Sequence, residues 1–340
     1  MVSRWEEILA TAGGLVPIAT VKPLILAALL AAVPAGTVEP IRQLAFVSCY
    51  KEALPVPAMD SIEALKPDVF VWMGDNVYGD TEDMDVLRKK YQVAREVPAY
   101  AKIRATAKVI GTWDDHDYGA NDAGKEFAKK EESQQVFLDF LDVPASSPRR
   151  KQEGVQHVAD FGPPGKMVRV ILLDTRYFRD PVGSDGDMLG EAQWKWFEKM
   201  LVESEAEVNV VVSSIQVLAA EHRWEKWASF PKEMERLMKL LARPDVPPVI
   251  LLSGDRHMAE ISVDRESCGY PLYDITSSSL NLPLGSGDEP NALRVGKLFR
   301  PANFGTLSFD WAWEHPVVTA CIRDADGVPQ RAVTIEMTPR

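Results

Sequence analysis

Short apolar segments that end abruptly in polar turns recur along the chain, and this pattern limits the folds that are possible. Residues 69–73 (VFVWM) are too short for a helix but long enough for a buried β-strand. Five further segments have the same character: 44–47, 108–113, 168–173, 208–213 and 248–252. Residues 61–66 are helical in character between the first two strands, so this strand–helix–strand unit predicts parallel neighbours in an α/β fold.

Residues able to carry chemistry follow these strands. They are Cys49, Asp75 with Tyr78, Asp115 with His116, and Asp255 with His257. The carboxyl ends of parallel strands meet at one edge of a sheet, where open α/β sheets bind their ligands. The one-sided placement therefore predicts a single catalytic face. Two metal ions sharing a carboxylate there would stabilise both the attacking and the leaving oxygen of a phosphoryl displacement.

Each element of this pattern also has a purely structural interpretation. The turn at Asp75 is compatible with an Asx turn, and a lone cysteine is usually a small buried apolar residue. Residues 114–122 (DDHDYGAND) hold four carboxylates, one histidine and one asparagine, which favours a cation over a solvated acidic loop. Asp255 and His257 are two apart, so an extended chain would point both to one side.

Two other polar sites are expected to be structural as readily as catalytic. Asp174 and Arg176 follow the strand at 168–173 and could form a buried pair that braces the sheet edge. His222 lies close to two tryptophans, Trp224 and Trp227, and is expected to be packed.

Composition excludes some classes of protein. The 340 residues carry a net charge of −12, which argues against a general nucleic-acid binder because no basic excess exists to neutralise phosphates. There are three cysteines and no CxxC pair, so a structural zinc site is not expected.

The N-terminal residues 1–40 differ from the rest of the chain. Residues 24–35 (LILAALLAAVPA) have the length of a signal-peptide core and end in small residues. We therefore expect a signal peptide, one domain at 41–340, and a secreted or extracytoplasmic protein. An N-terminal helix packed on the body of an intracellular protein is the alternative, since Glu6 and Glu7 offset the basic residues. No later segment is long and apolar enough for a membrane helix.

Taken together, the polar turns resemble the ordered motifs of a known family. Four of them, Ser48-Cys49, residues 74–78 (GDNVY), 113–117 (WDDHD) and 253–257 (SGDRH), resemble the PhoD-like alkaline phosphatases, a branch of the calcineurin-like metallophosphoesterases. Residues 173–177 (LDTRY) resemble the signature of the same family. The resemblance runs from about residue 44 to residue 335.

The resemblance implies a mixed α/β fold with four layers, αββα, and metals at the carboxyl ends of the strands. It implies Fe(III) bound by Cys49, Asp75, Tyr78 and Asp255, which suits thiolate and phenolate donors. It also implies Ca²⁺ bound by Asp75, Asp115 and Asn121. His257 is a further candidate ligand. His116 is a candidate general acid or phosphate contact, and Arg256 and His257 are candidates for assisting the reaction.

Two departures from the wider superfamily are visible. Ser48-Cys49 stands where an Asp-x-His motif is usual, as in the PhoD branch, and Gln216 stands where a metal-binding histidine is frequent. The second departure argues against a symmetric two-zinc site. The chain also lacks room for the N-terminal β-domain of the longer bacterial members.

The sequence therefore predicts a metal-dependent hydrolase, expected as a monomer, that releases phosphate from small phosphomonoesters and also cleaves phosphodiesters. No stable nucleic-acid partner is expected. One alternative is a phosphodiesterase specific for nucleic-acid or lipid-linked phosphate. The other is a non-catalytic calcium-binding relative, although calcium selects neither thiolate nor phenolate.

Overall fold

The strands form two mixed sheets in the computed structural model, which describes residues 38–183 and 185–340. Over these residues the strands are β1 Gln43–Val47, β2 Val69–Met73, β3 Lys108–Thr112, β4 His157–Phe161, β5 Val168–Leu172, β6 Val208–Ser213, β7 Val249–Ser253, β8 Ala259–Asp264, β9 Leu272–Ser277, β10 Asn303–Asp310, β11 Val317–Asp324 and β12 Pro329–Glu336. The strand orders are β12-β11-β10-β1-β2-β3 and β4-β5-β6-β7-β9-β8.

Helices cover the outer face of each sheet. They are α1 Pro57–Leu65, α2 Met84–Arg95, α3 Pro98–Thr106, α4 Asp115–Tyr118, α5 Lys130–Phe140, α6 Gly190–Val202 and α7 Pro231–Leu241. Strand β2 shows why the layers form, because its side chains alternate between two apolar clusters. Phe70 and Trp72 pack towards the helices, whereas Val71 packs between the two sheets. A third cluster, which includes Trp194 and Leu251, lies under α6 and α7. The predicted four-layer αββα fold is confirmed.

Parallel strands form one half of the first sheet and the centre of the second. β1 pairs in parallel with β2, and β2 with β3, in register Val47↔Trp72 and Trp72↔Gly111. In the second sheet β5, β6, β7 and β9 are parallel. This arrangement confirms the predicted crossover and places the polar turns at the carboxyl ends of the strands. From residue 259 onwards the regular elements are all strands, β8–β12.

Two local features do not follow from the apolar pattern of the sequence. Residues 82–106 are divided into α2 and α3, because Pro98 begins a new helix and leaves Val97 extended. The antiparallel strand β4 was missed, since its residues (HVADF) form no apolar run.

Most of the N-terminal segment for which a signal peptide was predicted lies outside the described residues. Within the described residues, no helix combines the length and the apolar character needed to cross a membrane.

Candidate metal and active site

Strained backbone positions place the predicted ligands. Cys49, Asp75, Asp255 and His257 have φ values of 55°, 50°, 69° and 53°, in the left-handed region that non-glycine residues seldom adopt. Each lies in the turn after β1, β2 or β7. Such conformations cost on the order of 1 kcal/mol or more each and are concentrated at functional sites. The extended geometry expected for Asp255 and His257 was wrong, because both residues lie in a tight bend.

A thiol, a phenol and a carboxylate converge at one side of the site. Cys49 Sγ lies 3.4 Å and Tyr78 OH lies 3.3 Å from the same oxygen, Asp75 Oδ2. Tyr78 OH is also 3.3 Å from His257 Nε2. His257 Nδ1 donates to the Leu282 carbonyl at 2.7 Å, so the lone pair of its Nε2 is available to the site, as in metal-binding imidazoles.

Four carboxylates gather at the other side. One oxygen from each of Asp75, Asp114, Asp115 and Asp255 lies within 4.8 Å of the others. Within the described residues, Asp75 Oδ1, Asp114 Oδ2 and Asp115 Oδ1 are buried without a hydrogen-bond donor. Buried polar atoms are rarely left without a partner. Asp75 belongs to both groups and is the natural bridging residue.

The electrostatics of these groups favour a bound cation. Burial, the Cys49 thiolate and the Asp115 carboxylate raise the pKa of Asp75 well above its usual range. Burial with Asp114 and Asp115 raises the pKa of Asp255 similarly. Burial raises the pKa of Cys49 to about 11. A polyvalent cation reverses this tendency and stabilises the ionised forms, so the residues fit a metal centre.

Asp117 and Asn76 fix the two carboxylate-bearing turns to each other. Asp117 accepts hydrogen bonds from the backbone amides of Asp75 (3.1 Å) and Asp114 (2.8 Å), and from Asn76 Nδ2 (2.6 Å). Asn76 also donates to the Thr112 carbonyl at 2.8 Å. Neither residue was predicted from the sequence to take part, although both lie inside the quoted motifs.

Arg176 supplies a buried positive charge next to the carboxylates. Its Nε contacts Asp114 Oδ1 at 2.5 Å, and its Nη2 lies 2.7 Å from Glu225 and 3.8 Å from Asp115. The expected pairing with Asp174 was wrong, because Asp174 instead accepts the backbone amide of Arg176 at 2.9 Å within its own turn. Nothing in the sequence around Glu225 indicated this partnership, because Glu225 comes from the distant loop after β6.

The candidate catalytic residues lie beside the ligands. His116 Nδ1 donates to Asp80 Oδ1 at 2.6 Å, and its ring packs 4.3 Å from that of Tyr78. Burial opposes protonation of His116, but the contacts with Asp80 and Asp115 outweigh it and raise its pKa. Arg256 donates from Nε to Gln216 at 3.1 Å and from Nη2 to Glu289 at 2.5 Å.

Three polar residues singled out in the sequence lie outside the ligand groups. Asn121 is exposed, lines the cavity over the site and donates to Asp122 Oδ2 at 3.0 Å. Gln216 is buried and anchors Arg256, which gives this departure from the superfamily pattern a structural role. His222 is buried and accepts the Trp224 amide at 3.2 Å, as a packed histidine would.

Several of these groups line a cavity of about 730 Å³. Its lining includes Tyr78, Asp115, Asp255 and Arg256, together with loops that follow β5, β6 and β9. A cavity of this size, with a few convergent polar groups, is typical of a small-molecule site.

A four-layer α/β sandwich with clustered metal ligands at its strand ends defines a metallophosphoesterase. The family model of the PhoD-like phosphatases matches residues 44–267, and the chain belongs to this family. The predicted family is thereby confirmed, and the protein is a metal-binding phosphoester hydrolase. No curated protein sequence shows a significant match.

Solved structures agree on the fold. PhoD superposes with a TM-score of 0.67 at 16% identity, over 88% of this chain and 69% of that protein. A purple acid phosphatase from yellow lupin gives 0.61 at 13% identity, over 88% and 54%. A dimetal phosphatase from Danio rerio gives 0.55 at 13% identity, over 88% and 100%. At these identities the similarities establish the fold alone.

Proposed function

We propose that the protein is an alkaline phosphatase of the PhoD type that releases inorganic phosphate from small phosphomonoesters and also cleaves phosphodiesters. The observation that carries this proposal is the convergence of Cys49 and Tyr78 on Asp75 Oδ2, at 3.4 and 3.3 Å. A calcium-binding relative without activity would have no use for a thiol and a phenol at this position.

We propose Fe(III) and Ca²⁺ as the metals. Cys49, Asp75 and Tyr78, with His257 beside them, would hold the iron, because thiolate and phenolate are strong anionic donors. Asp255, from the carboxylate group on the other side, would complete this ligand set. Asp75 and Asp115 would hold the calcium through oxygen atoms, and Asn121, which lies outside this group at the cavity lining, is the third proposed ligand. When bound, the metals polarise the phosphoryl oxygens and stabilise developing negative charge.

The residues around the metal site have separate roles in the proposed reaction. Arg256, which Gln216 and Glu289 hold in place, binds nonbridging phosphoryl oxygens through its guanidinium. His116 is held by Asp80 through Nδ1, so its Nε2 carries the proton for the leaving alcohol. His257 is oriented by Leu282 and completes the set of groups facing the phosphate or the iron.

Elemental analysis with a visible absorption spectrum tests the metal assignment. We expect iron with a charge-transfer band that is lost in Tyr78→Phe or Cys49→Ser and retained in the control Cys268→Ser, since Cys268 is buried in the apolar cluster under α6 and α7. Zinc or manganese without a band would contradict the cysteine–tyrosine assignment.

Asp75→Asn tests the bridging role of this carboxylate. We expect the rate of hydrolysis to fall by at least about 100-fold, because the loss of one principal electrostatic contact to the transition state typically has an effect of this size. Unchanged turnover at matched metal content would refute the assignment.

The relative rates on monoesters and diesters test the substrate proposal. A cavity of about 730 Å³ has room for two substituents on phosphorus, which supports diester hydrolysis. Turnover of diesters alone would favour a dedicated phosphodiesterase, although the net charge of −12 disfavours polyanionic nucleic acids as substrates.

We further propose that the protein is a secreted or extracytoplasmic monomer whose N-terminal segment is removed. The apolar residues 24–35 support this location. N-terminal sequencing of the native protein and sedimentation of the purified protein test the two statements. An intact Met1 or a stable dimer would contradict them.

A further inference from the structure

Exposed apolar side chains are concentrated at the mouth of the active-site cavity. Within the described residues, nine large hydrophobic side chains are exposed, and three of them line this one cavity. These three are Val182, Trp224 and Leu284, with exposed fractions of 50%, 48% and 50%. Apolar patches of this kind, bordered by polar residues, mark ligand-binding grooves.

We infer that the alcohol portion of the substrate binds to an apolar wall formed by Val182, Trp224 and Leu284, so that the enzyme prefers phosphoesters of apolar alcohols. This inference rests on the proposed phosphatase function and specifies the substrate class of the same site.

The apolar wall is connected directly to the residues that face the phosphate. The Leu284 amide donates to the His257 carbonyl at 3.4 Å, and Leu282 accepts from the His257 ring. On the other side, the Arg256 guanidinium lies 5.7 Å from the centre of the Trp224 ring. A substrate whose phosphate lies between Arg256 and His257 would therefore extend its alcohol along Trp224 or Leu284.

Two of the three wall residues have arginine contacts. Arg300 donates to the carbonyls of Leu284 (3.1 Å) and Gly287 (2.8 Å), and Arg223 stacks 4.5 Å from the Trp224 ring. The contacts of Arg300 order the Leu284 loop and so reduce the entropy cost of binding there.

Charge pairing argues against a polar alcohol. Arg256 and Arg300 both pair with Glu289, and Arg179 pairs with Glu225. Apart from Arg256, which the proposed function assigns to the phosphate, these charges are already paired. A sugar or nucleoside would have to compete with a carboxylate for them, whereas an alkyl or aryl group would not.

Calorimetric binding of unbranched alkylphosphonates to the metal-loaded protein tests the inference without requiring turnover. From methyl- to hexylphosphonate, we expect affinity to rise about two- to fourfold per methylene. In the double variant that combines Trp224→Ala with Leu284→Ser, the affinity should no longer change with chain length. Trp224 and Leu284 are half exposed, so the substitutions spare the core. Trp313→Ala, at a tryptophan with 66% exposure that does not line the cavity, is the matched control.

The possible outcomes separate the two proposals. A chain-length dependence in binding, without hydrolysis of the corresponding alkyl phosphates, would support the apolar wall and contradict the proposed phosphatase function. Equal affinity for all alkylphosphonates would overturn the inference, and so would a dependence that survives in the double variant or disappears in Trp313→Ala. Tighter binding of nucleoside monophosphates than of hexylphosphonate would also overturn it.

Discussion

At the scale of residues, Arg176 supplies the buried carboxylates around the metal site with a counter-charge. Asp114, Asp115 and Glu225 would be costly to bury without compensation, and Arg176 contacts all three. An arginine in this position reduces the negative charge around the ligands without occupying a ligand position. We therefore regard Arg176 as a structural partner of the metal site rather than as a group that touches substrate.

Replacing Arg176 tests this structural role. Arg176→Met should lower the free energy of unfolding by about 3–5 kcal/mol, because it leaves buried carboxylates without a counter-charge. Arg88→Met, which removes an exposed pair with Asp85, should cost about 1 kcal/mol or less. Urea denaturation of both variants measures the difference, and equal losses would contradict the role assigned to Arg176.

Replacing His116 tests its role as the proton donor. His116→Gln should reduce kcat about 100-fold for alkyl phosphates, whose leaving alcohols need a proton, and much less for p-nitrophenyl phosphate. The ratio of the two rates is the measurement. Asp85→Asn, at an exposed acid in α2, is the control. An equal loss on both substrates would indicate phosphate binding instead of proton transfer.

At the scale of elements, close packing fixes how β1 meets β10. Gly305 lies opposite Phe46 in the register of these strands, and a Cβ at residue 305 would lie 2.0 Å from the Phe46 ring. Gly305→Ala should therefore destabilise the protein by about 1–3 kcal/mol. In Gly305→Ala with Phe46→Leu the two losses should be less than additive, because the smaller side chain relieves the overlap. Strict additivity in thermal unfolding would refute this account.

His157, in the edge strand β4, makes the free energy of unfolding depend on pH. Burial and the nearby Arg149 lower the pKa of His157 to about 4. The unfolded chain has an ordinary histidine pKa near 6.5 and so binds a proton that the folded chain does not between these values. Stability therefore falls as pH falls from about 6.5 to 4.

His157→Gln should remove this effect. Between pH 7 and pH 5 we expect the wild type to lose about 1–2 kcal/mol more than the variant, from the linkage of proton binding to unfolding. Urea midpoints at the two pH values measure it, with His315→Gln as the control. Identical pH dependence in wild type and His157→Gln would show that His157 does not contribute.

Elements with a clear apolar pattern could be predicted from the sequence, and elements without one could not. The continuous apolar run of β2 marks a strand buried on both faces, whereas β4 carries His157 and Asp160 at a sheet edge and has no such run. The same difference holds in the site. Cys49, Asp75 and Asp255 follow strands and were found, but Glu225 reaches Arg176 through tertiary contacts that leave no local signal.

At the scale of the whole molecule, the two sheets meet at the metal site. Asp75 and Asp115 come from the turns of the first sheet, and Asp255 comes from the second. Cations bound by these three residues would join the sheets, whereas their uncompensated charges would push the sheets apart. The same cluster that serves catalysis should therefore also contribute to the stability of the fold.

Metal removal tests this coupling between the site and the fold. A cation bound at about 1,000 times its Kd stabilises the native state by about 4 kcal/mol, so exhaustive chelation should lower Tm by several degrees. Restoring iron and calcium should reverse the loss. In Asp75→Asn the difference in Tm between the metal-loaded and the chelated protein should be smaller, because the bridging carboxylate is absent. Equal Tm values for loaded and chelated wild type would show that the carboxylate cluster holds no structural cation, since such a cation binds the folded chain only.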